Sequence, residues 1–271
     1  MGQGRFHMPI CHVDGAVAVA ADSGHRFGRH FHDEFGIGVI DRGAQGSASG
    51  RGPVEAGPGD IITVNPGEVH DGAPIGDAGR AWRMLYLTPA VVAPLIADIA
   101  EGATDGFEFE RPVLSDRRLA GQVSRLFASA TDPGGAWGAT AEERLLALFA
   151  TLRGRPADSD AGNGRGSPPA IGRARAMIDD DPARAASLDD LAREAGMGRF
   201  QLLRGFVKAT GLTPHAYLVQ RRVALARRLI GERLSLAEAA VAAGFADQSH
   251  MTRAFVRAHG VTPGVYAGAR R

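Results

Sequence analysis

The chain has 271 residues, 31 Lys and Arg against 30 Asp and Glu, and one cysteine. That length suits about two domains, each with its own core. Cys11 excludes an internal disulfide framework and reads as a small buried apolar residue in a reducing compartment. No stretch approaches the ~18 apolar residues of a membrane span, and Ala16 to Ala21, bracketed by Asp14 and Asp22, is too short for a signal h-region. A cytoplasmic chain without membrane contact is expected.

Residues 10–90 are β-rich. Val17-Ala18-Val19, Phe35 to Ile40, Asp60 to Val64 and Trp82 to Leu87 are short apolar runs divided by Gly, Pro and Asp. Many short strands with turns between them suggest a small barrel or jelly roll. Within it, His30-Phe31-His32-Asp33-Glu34 precedes a strand, and Gly57 to His70 gives a turn, a strand, a proline turn and a histidine. Residues two apart on a strand share a face, so His30 and His32 can both point inward, with His70 on a returning strand. Three imidazoles would suit Zn, Fe, Ni or Cu. The preferred reading is a polar lining: His30, His32 and His70, with Trp82 and Arg83, line or rim a pocket for a small polar effector, and no metal or other cofactor is expected. The alternative of satisfied core groups stays open.

Residues 113–153 turn helical. Val113 to Ala130 places Leu119, Val123, Leu126 and Phe127 on one face, and Ala141 to Leu152 carries Leu145, Leu146, Leu148, Phe149 and Leu152. Such a hairpin packs on the barrel or supplies a dimer face. Residues 154–169, rich in Gly, Pro, Ser and Asp, read as a flexible linker and domain boundary.

The charge then divides. Residues 170–271 hold 16 Arg and Lys against 9 Asp and Glu, a net +7, while the remainder holds 15 against 21, a net −6. The polyanion contact therefore belongs to the rear.

The rear also repeats itself. Ser187-Leu188 matches Ser235-Leu236, and Ala195-Gly196 matches Ala243-Gly244. After one extra residue in the second copy, Arg204 pairs with Arg253, Phe206 with Phe255, Gly211 with Gly260, Thr213-Pro214 with Thr262-Pro263 and Tyr217 with Tyr266. Each copy is an amphipathic helix, a glycine turn and a second helix, which is a helix-turn-helix, and its repetition with the same punctuation is a strong signal. Pro214 to Ile230 forms one long helix between the copies, able to hold two readers in major-groove turns ~34 Å apart. In the second copy Asp247 caps a helix that turns Met251 and Phe255 inward and shows Gln248, Ser249, His250, Thr252, Arg253 and Arg257 outward. Gln and Arg read base edges bidentately, while Ser, Thr and Arg also reach phosphates.

SLDDLAREAGM, LARRLI, GFADQSHMTRAFVRAHGVTP and Tyr266 together resemble the AraC/XylS family of bacterial transcription regulators, over about the last hundred residues. Residues 10–90 resemble the cupin-type sensor domain found ahead of such DNA readers. The resemblance implies an α+β chain: a cupin or jelly-roll-like barrel over 1–112, a helical and possible dimerisation segment over 113–153, the linker at 154–169, and an all-α double helix-turn-helix domain over 170–271. It implies a sequence-specific regulator of transcription, an activator rather than a repressor, that binds double-stranded promoter DNA under control of a small-molecule effector. A homodimer is expected, and RNA polymerase is a partner if it activates. Arg204, Gln248, His250 and Arg253 are expected at base edges or nearby backbone, with Arg199, Ser249, Thr252, Lys208 and Arg257 mainly on phosphate. Two departures stand out. Gly198 holds the place where the family's first reader opens with serine, beside outward Phe200 and Leu203. Gly36 and Ile37 hold the place where metal cupins carry a glutamate. The rival readings are a metal-dependent cupin enzyme tethered to DNA and an effector-independent DNA-binding protein with a dimerisation barrel.

Overall fold

The computed structural model describes residues 4–100, 106–132, 139–154, 168–184 and 186–269. The expected linker falls almost wholly on 155–167, outside the described residues. The chain forms two compact units, Met1–Arg26 with His32–Gly162 and Ala269–Arg271, and Phe27–Phe31 with Asn163–Gly268.

The first unit is a β-sandwich with helices on one face. Its strands, with the short β3 that is counted with the second unit, are β1 (Arg5–His7), β2 (Ala16–Ser23), β3 (Phe27–His30), β4 (Phe35–Arg42), β5 (Gln45–Ser49), β6 (Gly52–Ala56), β7 (Ile61–Val64), β8 (His70–Pro74), β9 (Arg80–Leu87) and β10 (Val113–Leu114). One sheet runs β1-β2-β9-β4-β7-β10, and in the other β8, β5 and β6 lie side by side. The paired strands are antiparallel, as a jelly-roll-like architecture requires.

Strand parity sorts the large sheet into two faces. Ala18, Phe35, Ile37, Val39, Ile61, Leu85 and Leu87 join one core cluster with Val92 and Ile96 of α1 (Pro89–Ile99), Leu119, Val123, Leu126 and Phe127 of α2 (Arg117–Ala130), and Leu145, Leu148 and Phe149 of α3 (Ala139–Arg153). Each fully buried Leu or Phe there is worth about 1.5–3 kcal/mol. The helical pair thus packs on the sheet, the first of the two uses its pattern allowed. Its opening differs from expectation: Val113 and Leu114 pair with Ile62 and Ile61 at the sheet edge, and α2 starts only at Arg117. Asp116 sets that start by accepting from the backbone N–H of Arg118 (2.9 Å) and Leu119 (3.0 Å).

The second unit holds α4 (Pro169–Asp180), α5 (Leu188–Ala195), α6 (Arg199–Thr210), α7 (Pro214–Gly231), α8 (Leu236–Ala242), α9 (Gln248–His259) and α10 (Pro263–Ala269). The two sequence copies become two copies of one packing scheme. Leu191 and Ala192 are matched by buried Ala239 and Ala240, Leu202 and Phe206 by Met251 and Phe255, and Tyr217 by Tyr266. The 18-residue α7, roughly 27 Å long at 1.5 Å per residue, packs against both copies.

Candidate nucleic-acid interface

Each reader is built from the same parts. Ser187 and Ser235 cap α5 and α8 in capping boxes closed by Asp190 and Glu238, whose carboxyls these contacts hold below their ordinary range. The turns then need a left-handed residue, supplied by Gly196 (φ 65°) and Gly244 (φ 82°). The reader helices start differently. Asp247 accepts from the His250 N–H at 2.6 Å, whereas Gly198 has no side chain to cap with, and Gln201 Oε1 instead accepts from its N–H at 3.2 Å.

With Met251, Ala254, Phe255 and Ala258 buried, α9 exposes Gln248, Ser249, Arg253 and Arg257, and leaves Thr252 half-buried. His250 does not join that face. It is half-buried, with its ring edge-on to Phe245 at 5.2 Å, because the third residue after Asp247 begins to turn toward the core. On α6, Leu202 and Phe206 face inward, and Arg199, Phe200, Arg204, Val207 and Lys208 are exposed. Arg199 pairs with Asp189 at 2.9 Å, and the Arg204 guanidinium lies 5.6 Å from the Phe200 ring centroid.

Part of the rear's positive charge serves the fold. Arg173 donates to the Glu194 (3.1 Å) and Ala195 (3.2 Å) carbonyls at the end of α5, and Arg222 donates to the Pro182 carbonyl at 2.8 Å. Asp179 takes Arg221 at 3.0 Å and accepts from the Tyr217 hydroxyl at 2.8 Å, while that hydroxyl accepts from Arg175 at 2.9 Å. Burial, and then Asp179, push the Tyr217 phenol up to about 12. Arg228 and Arg233 are exposed. Arg233 takes the left-handed backbone (φ 72°) that ends α7, which nothing in its residue type announces.

In the barrel unit, two of the predicted histidines meet, whereas Trp82 and Arg83 part. His32 and His70 are brought together, ring centroids 5.3 Å apart, with Tyr86 at 5.0 Å from His32. The His70 Nδ1–H donates to the Glu68 carbonyl at 2.9 Å, and burial holds its imidazole below the ordinary value. The His30 Nδ1–H donates to the Gly28 carbonyl at 2.7 Å, within the segment counted with the second unit. Trp82 and Arg83 are adjacent on β9 and cannot share a face. Arg83 points to the helix-covered side, bound to Asp41 by two hydrogen bonds (2.9 and 2.7 Å) and set 5.7 Å from the Phe127 ring. The arginine that shares Trp82's face is Arg80, two residues earlier. It is fully buried, with its guanidinium 4.5 Å over the Trp82 ring, and it donates to Gln45 Oε1 (2.6 Å) and the His25 carbonyl (2.9 Å). Burial, and then Arg26, push it down to about 10, so it keeps its charge at neutral pH. Gly36, opposite Tyr86, shares that inner face, while Ile37 lies in the helix-side core, so neither stands in for a metal cupin's glutamate.

The family model for an AraC-like ligand binding domain matches residues 12–149, and one for a helix-turn-helix domain matches residues 191–269. An uncharacterized HTH-type transcriptional regulator of Bacillus subtilis, YbfI, is 28% identical over 227 residues, 83% of this chain and 82% of its own. The virulence regulon transcriptional activator VirF of Yersinia enterocolitica is 30% identical over 92 residues, 34% of each chain. Among solved structures, ToxT of Vibrio cholerae O395 superposes with a TM-score of 0.56 at 12% identity, covering 98% of both chains. ToxT of strain SCE256 with an unsaturated fatty acid bound gives 0.56 at 12% identity, covering 98% of this chain and 97% of that one.

Proposed function

Because the chain belongs to the AraC family of transcription regulators, whose members here are regulators and not enzymes, we propose that α6 and α9 enter successive major-groove segments of a promoter. The observation that carries this is the repeated scaffold. Two helices of matching register bury the same positions and turn Arg204 and Arg253 outward at equivalent places. Gln248, Arg204 and Arg253 read base edges. Ser249, Thr252, Lys208 and Arg257 take phosphate, and Arg199 does so after exchanging Asp189 for the backbone. His250 positions the start of α9 rather than reading a base.

The ligand-binding unit takes a small effector at the inner face of its large sheet, where Trp82, Tyr86 and Arg80 of β9 lie, with His32 beside Tyr86 and with His70 of the smaller sheet beside His32. Support comes from the fatty acid held by ToxT, a protein of this fold, and from the mixed polar and aromatic lining. We assign the protein as an activator that works as a homodimer and contacts RNA polymerase. VirF, printed as an activator, supports that direction.

The test is selection of binding sites from random duplex DNA with the full chain, followed by affinity across a salt series. Enrichment of a two-part site with steep salt dependence supports the reading. Recovery of no preferred sequence would sink it.

A further inference from the structure

The two readers differ in chemistry at several of their outward positions. Arg204 and Arg253 are equivalent, yet Phe200 stands where α9 has Ser249, and Leu203 where it has Thr252. Phe200 is 68% exposed, the second residue of α6, and Val207 on the same flank is 40% exposed. An aromatic ring at that level of exposure is not holding the core together. Its contact instead is Arg204, one turn later, with the guanidinium 5.6 Å from the ring.

The start of a recognition helix is the part that meets base edges. In the major groove the apolar group on offer is the thymine C5 methyl. We propose that Phe200 makes the first reader specific for a thymine, by packing on its methyl group, while its ring aligns Arg204 on a neighbouring guanine. Four residues of helix advance about 6 Å, against 3.4 Å per base pair, so that guanine lies one to two pairs from the thymine. The site is then bipartite in chemistry as well as geometry. The α6 half is read through a methyl and a guanine, and the α9 half through hydrogen bonds alone. This inference rests on the reading of the helical unit as a DNA reader.

The experiment uses the full chain and its selected site. Each thymine is replaced in turn by deoxyuridine, which removes only the methyl. One replacement in the α6 half should weaken binding roughly fourfold, the value of about one buried methyl. Phe200→Ala should lose a similar factor on the parent site and become indifferent to that replacement, and Phe200→Leu should recover part of the sensitivity. Phe200 is exposed, so far-UV dichroism of both variants should match the parent.

Specific binding that ignores every deoxyuridine replacement would overturn this inference alone. So would equal sensitivity in parent and Phe200→Ala. Specific binding unchanged by Phe200→Ala, with promoter activation lost, would assign the ring to a protein partner and also overturn it. Absence of any sequence preference would overturn the underlying reading as well.

Discussion

Gly196 and Gly244 occupy the same place in the repeat, but the structure gives them different obligations. Both have left-handed backbone, so alanine at either costs about 1–2 kcal/mol of strain, partly offset by the stiffer unfolded chain. A Cβ at Gly196 would meet nothing within 4 Å. At Gly244 it would sit 2.5 Å from the Ala183 carbonyl oxygen and 2.9 Å from its Cα. These are backbone atoms with no rotamer to relax, and Arg222 anchors the same turn through Pro182 at 2.8 Å and Ala183 at 3.5 Å. Overpacking of this kind adds about 1–3 kcal/mol. Gly196→Ala should therefore cost about 1 kcal/mol, and Gly244→Ala about 2–4 kcal/mol. Urea titration followed by far-UV dichroism would measure both. Tryptophan fluorescence serves as a control for the first unit, to which Trp82 belongs. Equal losses for the two substitutions would refute the argument, because strain alone does not distinguish them.

Three further outcomes follow from the same geometry. Arg80→Met should destabilise the barrel unit by roughly 2–4 kcal/mol, since Gln45 and the His25 carbonyl lose a buried donor, whereas Arg83→Met breaks a half-exposed pair worth at most about 1 kcal/mol; thermal melts by fluorescence would rank them. Folded Tyr217 keeps its proton to about 12 while a free phenol releases it near pH ~10, so the native state binds more protons in that window and stability falls as pH rises through it. Tyr217→Phe should remove that part of the slope in urea midpoints taken between about pH 9 and 12. Ser235→Ala should cost about 1 kcal/mol through the lost cap, read from the dichroism melt. Glu238, held low by Ser235, supports the fold above the carboxylate range, and that support should fade as pH falls through it.

The helical unit was legible because its constraints are local. Capping serines, turn glycines and helical spacing all sit within one copy, and repetition let each copy check the other. The sheet was legible in part. The four runs picked out by apolar pattern became β2, β9, β4 and β7, neighbours in the sheet that buries an apolar face against the helices. Strands β5, β6 and β8 are Gly-, Ser- and Pro-containing and largely half-buried, so no alternation marked them. The pocket was the least legible. Placing Trp82 and Arg83 together ignored the two-residue period of a strand, and that same period applied strictly would have selected Arg80. His250, read as outward, is half-buried against Phe245, a packing that depends on where α9 begins and that a turn-length difference of one residue conceals.

The central claim is that α9 reads sequence, and Arg253→Ala tests it most directly. Parent and variant would be titrated with the selected site, with single-base variants of it, and with unrelated DNA across a salt series. A bidentate base contact is worth ~1–3 kcal/mol, so the variant should bind the selected site about 5- to 150-fold more weakly. It should also lose discrimination at one base position and keep most of the salt slope. Binding that is weak, blind to sequence and untouched by Arg253→Ala would contradict the account.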